Sequence, residues 1–156
     1  MTSKVEARLV ELGVELPATP IPVAAYLPAR AVADWVYVSG QIPLVEERLI
    51  YTGKVGLDLS LEQGYAAAKI CAIRCIAALR SVVEDLDKVQ IVKVTGYVNS
   101  ANDFTAQAQV VNGASEFLEK AFGEKGRHAR AAVGAAQLPG GAAVEVELVA
   151  YIMGDL

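Results

Sequence analysis

The stretch GRHARAAVGAAQLPGGAAVEVELVAYIM, residues 126–153, decides the fold. Its head carries two arginines and the single histidine of the chain. Two apolar runs follow, separated by LPGG at 138–141. In the second run Val144, Val146, Leu148, Ala150 and Ile152 alternate with Glu145, Glu147, Val149 and Tyr151. That period-2 pattern marks a strand whose two faces differ in chemistry. The LPGG segment reads as a turn, so the stretch holds two strands. Carboxylates in an otherwise apolar strand are costly to bury unless paired or hydrogen-bonded, so what Glu145 and Glu147 face becomes the central question.

Upstream, Ser60-Leu61-Glu62-Gln63 fits the capping box that starts a helix. Leu61, Tyr65, Ala68, Ala72, Ile76, Leu79 and Val83 then fall on one face of a 3.6-residue period, and the many alanines imply close packing on a sheet. QIVKVTGYV (90–98) is a strand, and residues 100–126 hold a second helix capped near Gly123. Gly113 inside it costs about 1 kcal/mol against alanine, which implies a close neighbour. Nearer the start, Lys4 to Leu12 forms a short amphipathic helix stopped near Gly13 and Pro17. Residues 15–30 are too rich in proline for a helix and run extended, with Tyr26 among them. DWVYVSG (34–40) alternates as a strand ending at Gly40, and ERLIYTGKVG (47–56) is read as its partner. The order helix, β, β, α, β, α, β, β predicts an α+β domain with two helices on one face of a sheet. Residues 1–156 form one domain, with 1–17 as an N-terminal extension. Both sets of strand residues are largely apolar, so the second sheet face needs a cover, and a neighbouring subunit is the simplest one.

At 54% hydrophobic and 21% charged the chain is globular. Its mean hydropathy of +0.36 is high for a soluble protein and points to an oligomer. No apolar run approaches the roughly 20 residues that span a bilayer, and no export signal opens the chain, so a cytoplasmic location is expected. A net charge of −4 argues against a nucleic-acid partner. Cys71 and Cys75 are spaced C-x-x-x-C, and with one histidine no zinc cage is expected. They read as packed, reduced thiols.

Several residues are candidates for a site. Arg130, at the head of a strand, can hold a carboxylate bidentately or can be a solvated strand end. Arg127 and His128 read as parts of a solvated loop. Glu145 or Glu147 can face a wet cavity and serve as a base towards water, or form a salt-bridged face. Asn112 can contact a ligand or simply be exposed. Ser39 and Gly40 end a strand where a free backbone amide meets solvent. There is no G-x-S-x-G, no P-loop and no histidine–carboxylate pair beside a nucleophile.

Four segments taken together are more specific. YVSGQIP (37–43), LEQGYAAAKICAIRCIAAL (61–79), DFTAQAQVVNGASEF (103–117) and HARAAVGAAQLPGGAAVEVELVA (128–150) resemble the Rid family of enamine/imine deaminases, also described as endoribonuclease L-PSP-like. The resemblance runs over roughly residues 20–153. It implies a chorismate-mutase-like two-layer fold and a homotrimer with a central barrel and a site in each subunit cleft. In such a fold the last two strands are not hairpin neighbours. By position it implies that Arg130 grips the substrate carboxylate, Glu145 orders a water, and Tyr26, Ser39, Gly40 and Asn112 line the pocket. It implies hydrolysis of 2-imino acids, such as those from 2-aminoacrylate, to 2-keto acids and ammonia. No cofactor or metal is needed, because an imine is already electrophilic. Ala132 stands where the family often has cysteine, and Gln137 where arginine is common. These departures and the extension mark a divergent subgroup. The alternatives are a non-catalytic trimeric binder of small carboxylates and an endoribonuclease or translation inhibitor, which the pI near 5.0 disfavours.

Overall fold

A computed structural model describes residues 2–22 and 24–154. Helix α1 (Lys4–Glu11) is started by a capping box. Ser3 Oγ accepts from the Glu6 amide at 3.0 Å and Glu6 Oε2 accepts from the Ser3 amide at 3.2 Å. The Asp87 carboxylate then accepts from the Lys4 and Val5 amides at 2.8 and 2.9 Å. These are orphan donors of the first helical turn, so an acid distant in sequence docks α1 on the rest of the chain. Val5 and Leu9 are buried by that docking.

Helix α2 (Leu61–Arg80) starts at the Ser60–Gln63 capping box, as its sequence predicts. Ala68, Ala72, Ile76, Leu79 and Val83 of the predicted stripe are all buried. Ala67, Cys71, Cys75 and Ala78 are buried too, because α2 packs both on the sheet and against its neighbour helix α3 (Gln107–Phe122). The two cysteines are free and donate weakly to the carbonyls of Val144 and Val146 at 3.6 and 3.5 Å. Burial pushes both thiols far up, so they are neutral packing groups. Helix α3 ends at Gly123 with φ +64°. The close neighbour of Gly113 is the α2 backbone: a Cβ here would lie 2.0 Å from the carbonyl oxygen of Tyr65.

The main sheet holds β1 (Ala29–Val32), β2 (Trp35–Gln41), β5 (Val89–Asn99), β6 (Ala129–Ala135) and β7 (Val144–Ile152). Their order across the sheet is β1-β2-β7-β5-β6, with β5 and β6 parallel and the other neighbours antiparallel. Strands β6 and β7 are therefore separated by β5. Residues 138–141 do turn, with Gly140 and Gly141 at φ +67° and +76°, but they do not close a hairpin.

One strand expectation fails. ERLIYTGKVG does not enter this sheet. Only Arg48–Leu49 (β4) is a strand, paired in a small hairpin with Leu44–Val45 (β3). Glu46, Glu47, Tyr51, Gly53 and Gly56 all have positive φ, which no continuous strand accommodates. The fifth main-sheet strand is instead β1, from the end of the proline-rich segment. It joins β2 through Ala33, at φ +52°, and Asp34. No glycine or asparagine announces that turn.

Helix α2 packs on β7 and β2, and α3 on β5 and β6, all on one face. Among the described residues no helix covers the other face. There Val32, Trp35, Tyr37 and Val133 are exposed, and Trp35 meets Tyr151 edge-on at 5.1 Å.

Candidate active site in two halves

Cross-strand register assigns each candidate to a face. Arg130 pairs with Val94, and Val94 with Leu148, so the three share the helix-covered face. Glu145 lies an odd number of residues from Leu148 and pairs with Tyr97, so it projects from the open face. Within one chain, the candidate anchor and the candidate base thus stand on opposite sides of the sheet.

The anchor half is built by α3 and β6. Arg130 Nη1 donates to Asn112 Oδ1 at 2.7 Å and to Ser115 Oγ at 3.2 Å. Its Nη2 donates to the Ala108 carbonyl at 3.3 Å. These bonds leave Nε and a second Nη2 hydrogen without a partner among the described residues. Two adjacent donors are what a bidentate carboxylate takes. Asn112, a ligand candidate in the sequence, is here the seat of Arg130.

His128 corrects its sequence reading. Among the described residues Arg127 is exposed and pairs only with Glu124, at 3.8 Å, but His128 is half-buried and bonded through both ring nitrogens. Its Nδ1 lies 2.6 Å from the Gly126 carbonyl, and its Nε2 lies 2.8 Å from Ser115 Oγ. A carbonyl oxygen only accepts, so in the neutral ring Nδ1 carries the hydrogen and Nε2 accepts from Ser115. Sequence reasoning passed over Ser115 entirely. The available signal was parity: His128 and Arg130 sit two apart and so share a side of the chain.

The base half is built by β2, β7 and the segment before β1. A bulge lies between Val38 and Gln41. At Gly40 a Cβ would fall 2.0 Å from Glu145 Oε1, so only glycine lets the carboxylate lie against this backbone. Glu145 is half-buried and has no hydrogen-bond partner among the described residues. Burial, reinforced by the neighbouring Glu147, raises its pKa above the usual glutamate value. Glu147 accepts from Tyr97 Oη at 2.7 Å, and that bond pushes the Tyr97 hydroxyl pKa up.

A groove of about 730 Å³ opens beside these residues, lined by Tyr26, Tyr37, Ser39, Lys93, Thr95 and Glu147 among others. Ser39 Oγ donates to the Leu27 carbonyl at 2.6 Å and so ties the Tyr26 segment to β2. Tyr26 is 51% exposed and lines both this groove and a smaller cleft of about 100 Å³ that also touches Gly40 and Arg74. Tyr26, Ser39, Gly40 and Glu145 thus gather around one region, and Asn112 and Arg130 around another. Among the described residues no cluster of three or more His, Cys, Asp or Glu side chains could hold a metal, and no helix is long and apolar enough to cross a membrane.

The chain resembles known proteins along nearly its whole length. Residues 6–152 match the family described as "YjgF/chorismate_mutase-like, putative endoribonuclease". Protein TCP17 of Trypanosoma cruzi is 43% identical over 148 residues, spanning 94% of this chain and 92% of that protein. A 2-iminobutanoate/2-iminopropanoate deaminase of Dermatophagoides farinae is 30% identical over 142 residues, spanning 89% of this chain and 94% of that enzyme. The crystal structure of Atu1372 from Agrobacterium tumefaciens superposes with a TM-score of 0.89 at 39% identity, covering 96% of this chain and 92% of that one. With its motifs, its mixed five-stranded sheet and these matches, the chain belongs to the YjgF/Rid family.

Proposed function

We propose that the protein hydrolyses small 2-imino acids to 2-keto acids and ammonia, in a site completed by a second copy of the chain. The observation that carries this reading is the seat of Arg130. Its guanidinium is fixed by three hydrogen bonds and keeps two adjacent donors for a carboxylate. The deaminase name of the Dermatophagoides farinae relative supports the same chemistry.

Arg130 of one copy binds the substrate carboxylate, with Asn112 holding the guanidinium. Glu145 of a neighbouring copy faces the imine carbon, and Tyr26, Ser39 and Gly40 wall the pocket around it. Glu145 takes a proton from water as the water oxygen bonds to the C=N carbon and the nitrogen gains a proton. The carbinolamine then loses ammonia, its hydroxyl proton leaves, and the C=O of the 2-keto acid forms. A base whose pKa sits closer to neutrality can also return the proton, and the raised pKa of Glu145 suits that exchange. The imine carbon is electrophilic by itself, so the residues position reactants and move protons without a cofactor. The exposed apolar residues of the open sheet face supply the contact between copies, in a homotrimer around a central barrel. The proposed place of action is the cytoplasm.

The test is ammonia release while a dehydratase generates 2-aminoacrylate in situ. Wild-type protein accelerates release over the spontaneous reaction, and Arg130→Ala does not. Equal rates for the two proteins defeat the proposal.

A further inference from the structure

We infer that Ser115 and His128 are positioning residues for the Arg130 anchor: a relay running from the Gly126 carbonyl through the imidazole and the serine hydroxyl to the guanidinium. The inference rests on the proposed role of Arg130 as the carboxylate anchor, and extends it inward by two residues. Direction is the argument. The Gly126 carbonyl, 2.6 Å from Nδ1, fixes the ring tautomer, which makes Nε2 an acceptor. Nε2, 2.8 Å from Ser115 Oγ, then draws the hydroxyl hydrogen towards itself. That leaves the serine lone pairs turned towards Arg130 Nη1 at 3.2 Å. A serine hydroxyl rotates freely unless something holds it, and here the imidazole makes it an acceptor. The result biases Arg130 to spend Nη1 inward, on Ser115 and Asn112, and to present Nε and Nη2 outward.

The relay joins three separate parts of the chain. Ser115 lies one helical turn from Asn112 on α3 (i, i+3), so both meet the same guanidinium from one helix face. His128 and Arg130 lie two apart on the β6 side. The Gly126 carbonyl comes from the turn between them and α3. Among the described residues no titratable side chain is bonded to His128: Arg127 and Glu124 pair with each other, and Lys125 donates to the Asp87 carbonyl. The imidazole is therefore committed to the serine and to the backbone.

The experiment measures pyruvate binding by calorimetry, with KM and kcat for ammonia release, in wild type and in Ser115→Ala, Ser115→Thr, His128→Ala, His128→Gln and Arg130→Gln. Thermal midpoint and oligomeric state serve as folding controls. Ser115→Ala and His128→Ala are expected to weaken pyruvate about tenfold and to raise KM to match, with kcat within about twofold. His128→Gln is expected to recover most of the affinity, because its amide oxygen accepts the serine hydrogen in place of Nε2. Ser115→Thr, which keeps the hydroxyl, is expected to stay near wild type. A purely structural role would lower the thermal midpoint and leave pyruvate affinity per folded molecule unchanged, and that result overturns the inference. So does a His128→Gln protein as weak as His128→Ala. If Arg130→Gln binds pyruvate as wild type does, the anchor itself is wrong and the proposed function falls with the relay. If Arg130→Gln alone loses binding, only the relay falls.

Discussion

The two halves of the candidate site are prepared in opposite ways. On the α3–β6 side the guanidinium has three partners, and one of those partners is itself held by an imidazole. On the β2–β7 side Glu145 has no donor among the described residues and is pressed against a glycine. An anchor works by geometry, so hydrogen bonds that fix its rotamer improve it. A base works through an available lone pair, and each donor aimed at it would hold the anionic form and lower its basicity. Tight ligation on one side and isolation on the other are what the two tasks require.

The sharpest way to break this comparison is to separate the halves genetically. Arg130→Ala and Glu145→Gln proteins are each expected to be nearly inactive, with Glu145→Gln losing about 10²–10⁴-fold in kcat. Unfolding and refolding them together should restore activity to about a quarter of wild type, the fraction of clefts that receive both intact halves in randomly mixed oligomers. No recovery would mean that the halves never meet across a subunit boundary. Glu145→Gln also tests the cost of isolation. A carboxyl whose pKa is raised on folding contributes stability only while protonated, and that contribution is lost as pH rises through the folded value. At neutral pH the glutamine variant should therefore melt higher than wild type.

A middle-sized effect is expected at the helix pair that carries the anchor. Gly113→Ala forces a Cβ against the Tyr65 carbonyl and should destabilise by about 2 kcal/mol in urea unfolding. Carboxylate affinity should fall with it, because Asn112 and Ser115 flank the altered residue. Unchanged affinity would detach the anchor seat from the helix spacing.

Smaller still is the docking of α1. Burial pushes the Asp87 carboxyl up, but hydrogen bonds from the Lys4 and Val5 amides, joined by the Lys4 and Lys125 charges, hold it below the usual aspartate value. A depressed carboxyl stabilises above its unfolded pKa and loses that stabilisation as pH falls through the folded one. Asp87→Asn should cost about 1 kcal/mol at neutral pH, and acid should loosen α1 in wild type but much less in the variant. Hydrogen exchange of the α1 amides reads both. The smallest effect belongs to Glu147→Gln. Removing the second carboxylate should move the acid limb of the kcat profile to lower pH, since Glu147 contributes to raising Glu145.

The halves also differ in how far the sequence disclosed them. Where the signal is local, the reading holds. The Ser60 capping box, the alternation through β7, the end of α3 at Gly123 and the crowding at Gly113 all appear as expected, because each depends on neighbours a few residues away. Strand β1 was hidden because Ala33 and Asp34 turn the chain without a glycine. Residues 47–56 misled because their apolar alternation is overruled by backbone torsions set by a small hairpin and two glycines. Arg130 and Glu145 stand out by residue type and the family resemblance gives each a role, whereas the opposite faces they occupy follow from strand register. The Ser115–His128 contact was invisible, because nothing in a helix sequence says which distant residue will lie beneath it. His128 is a loop residue as its sequence suggests, but it sits at the entry to β6, where Ser115 of α3 half-buries it.

Gly113 finally sets how near two helices may come, and the spacing propagates. Residues 112 and 115 stand on either side of that point, so the depth at which they present their oxygens is fixed by how closely α3 can rest on the Tyr65 backbone of α2. The reach of the guanidinium is thus calibrated by a hydrogen atom standing where any other residue would carry carbon. Substitutions along α2 that shift the position of Tyr65 would retune the pocket from behind without touching a single group that meets the ligand.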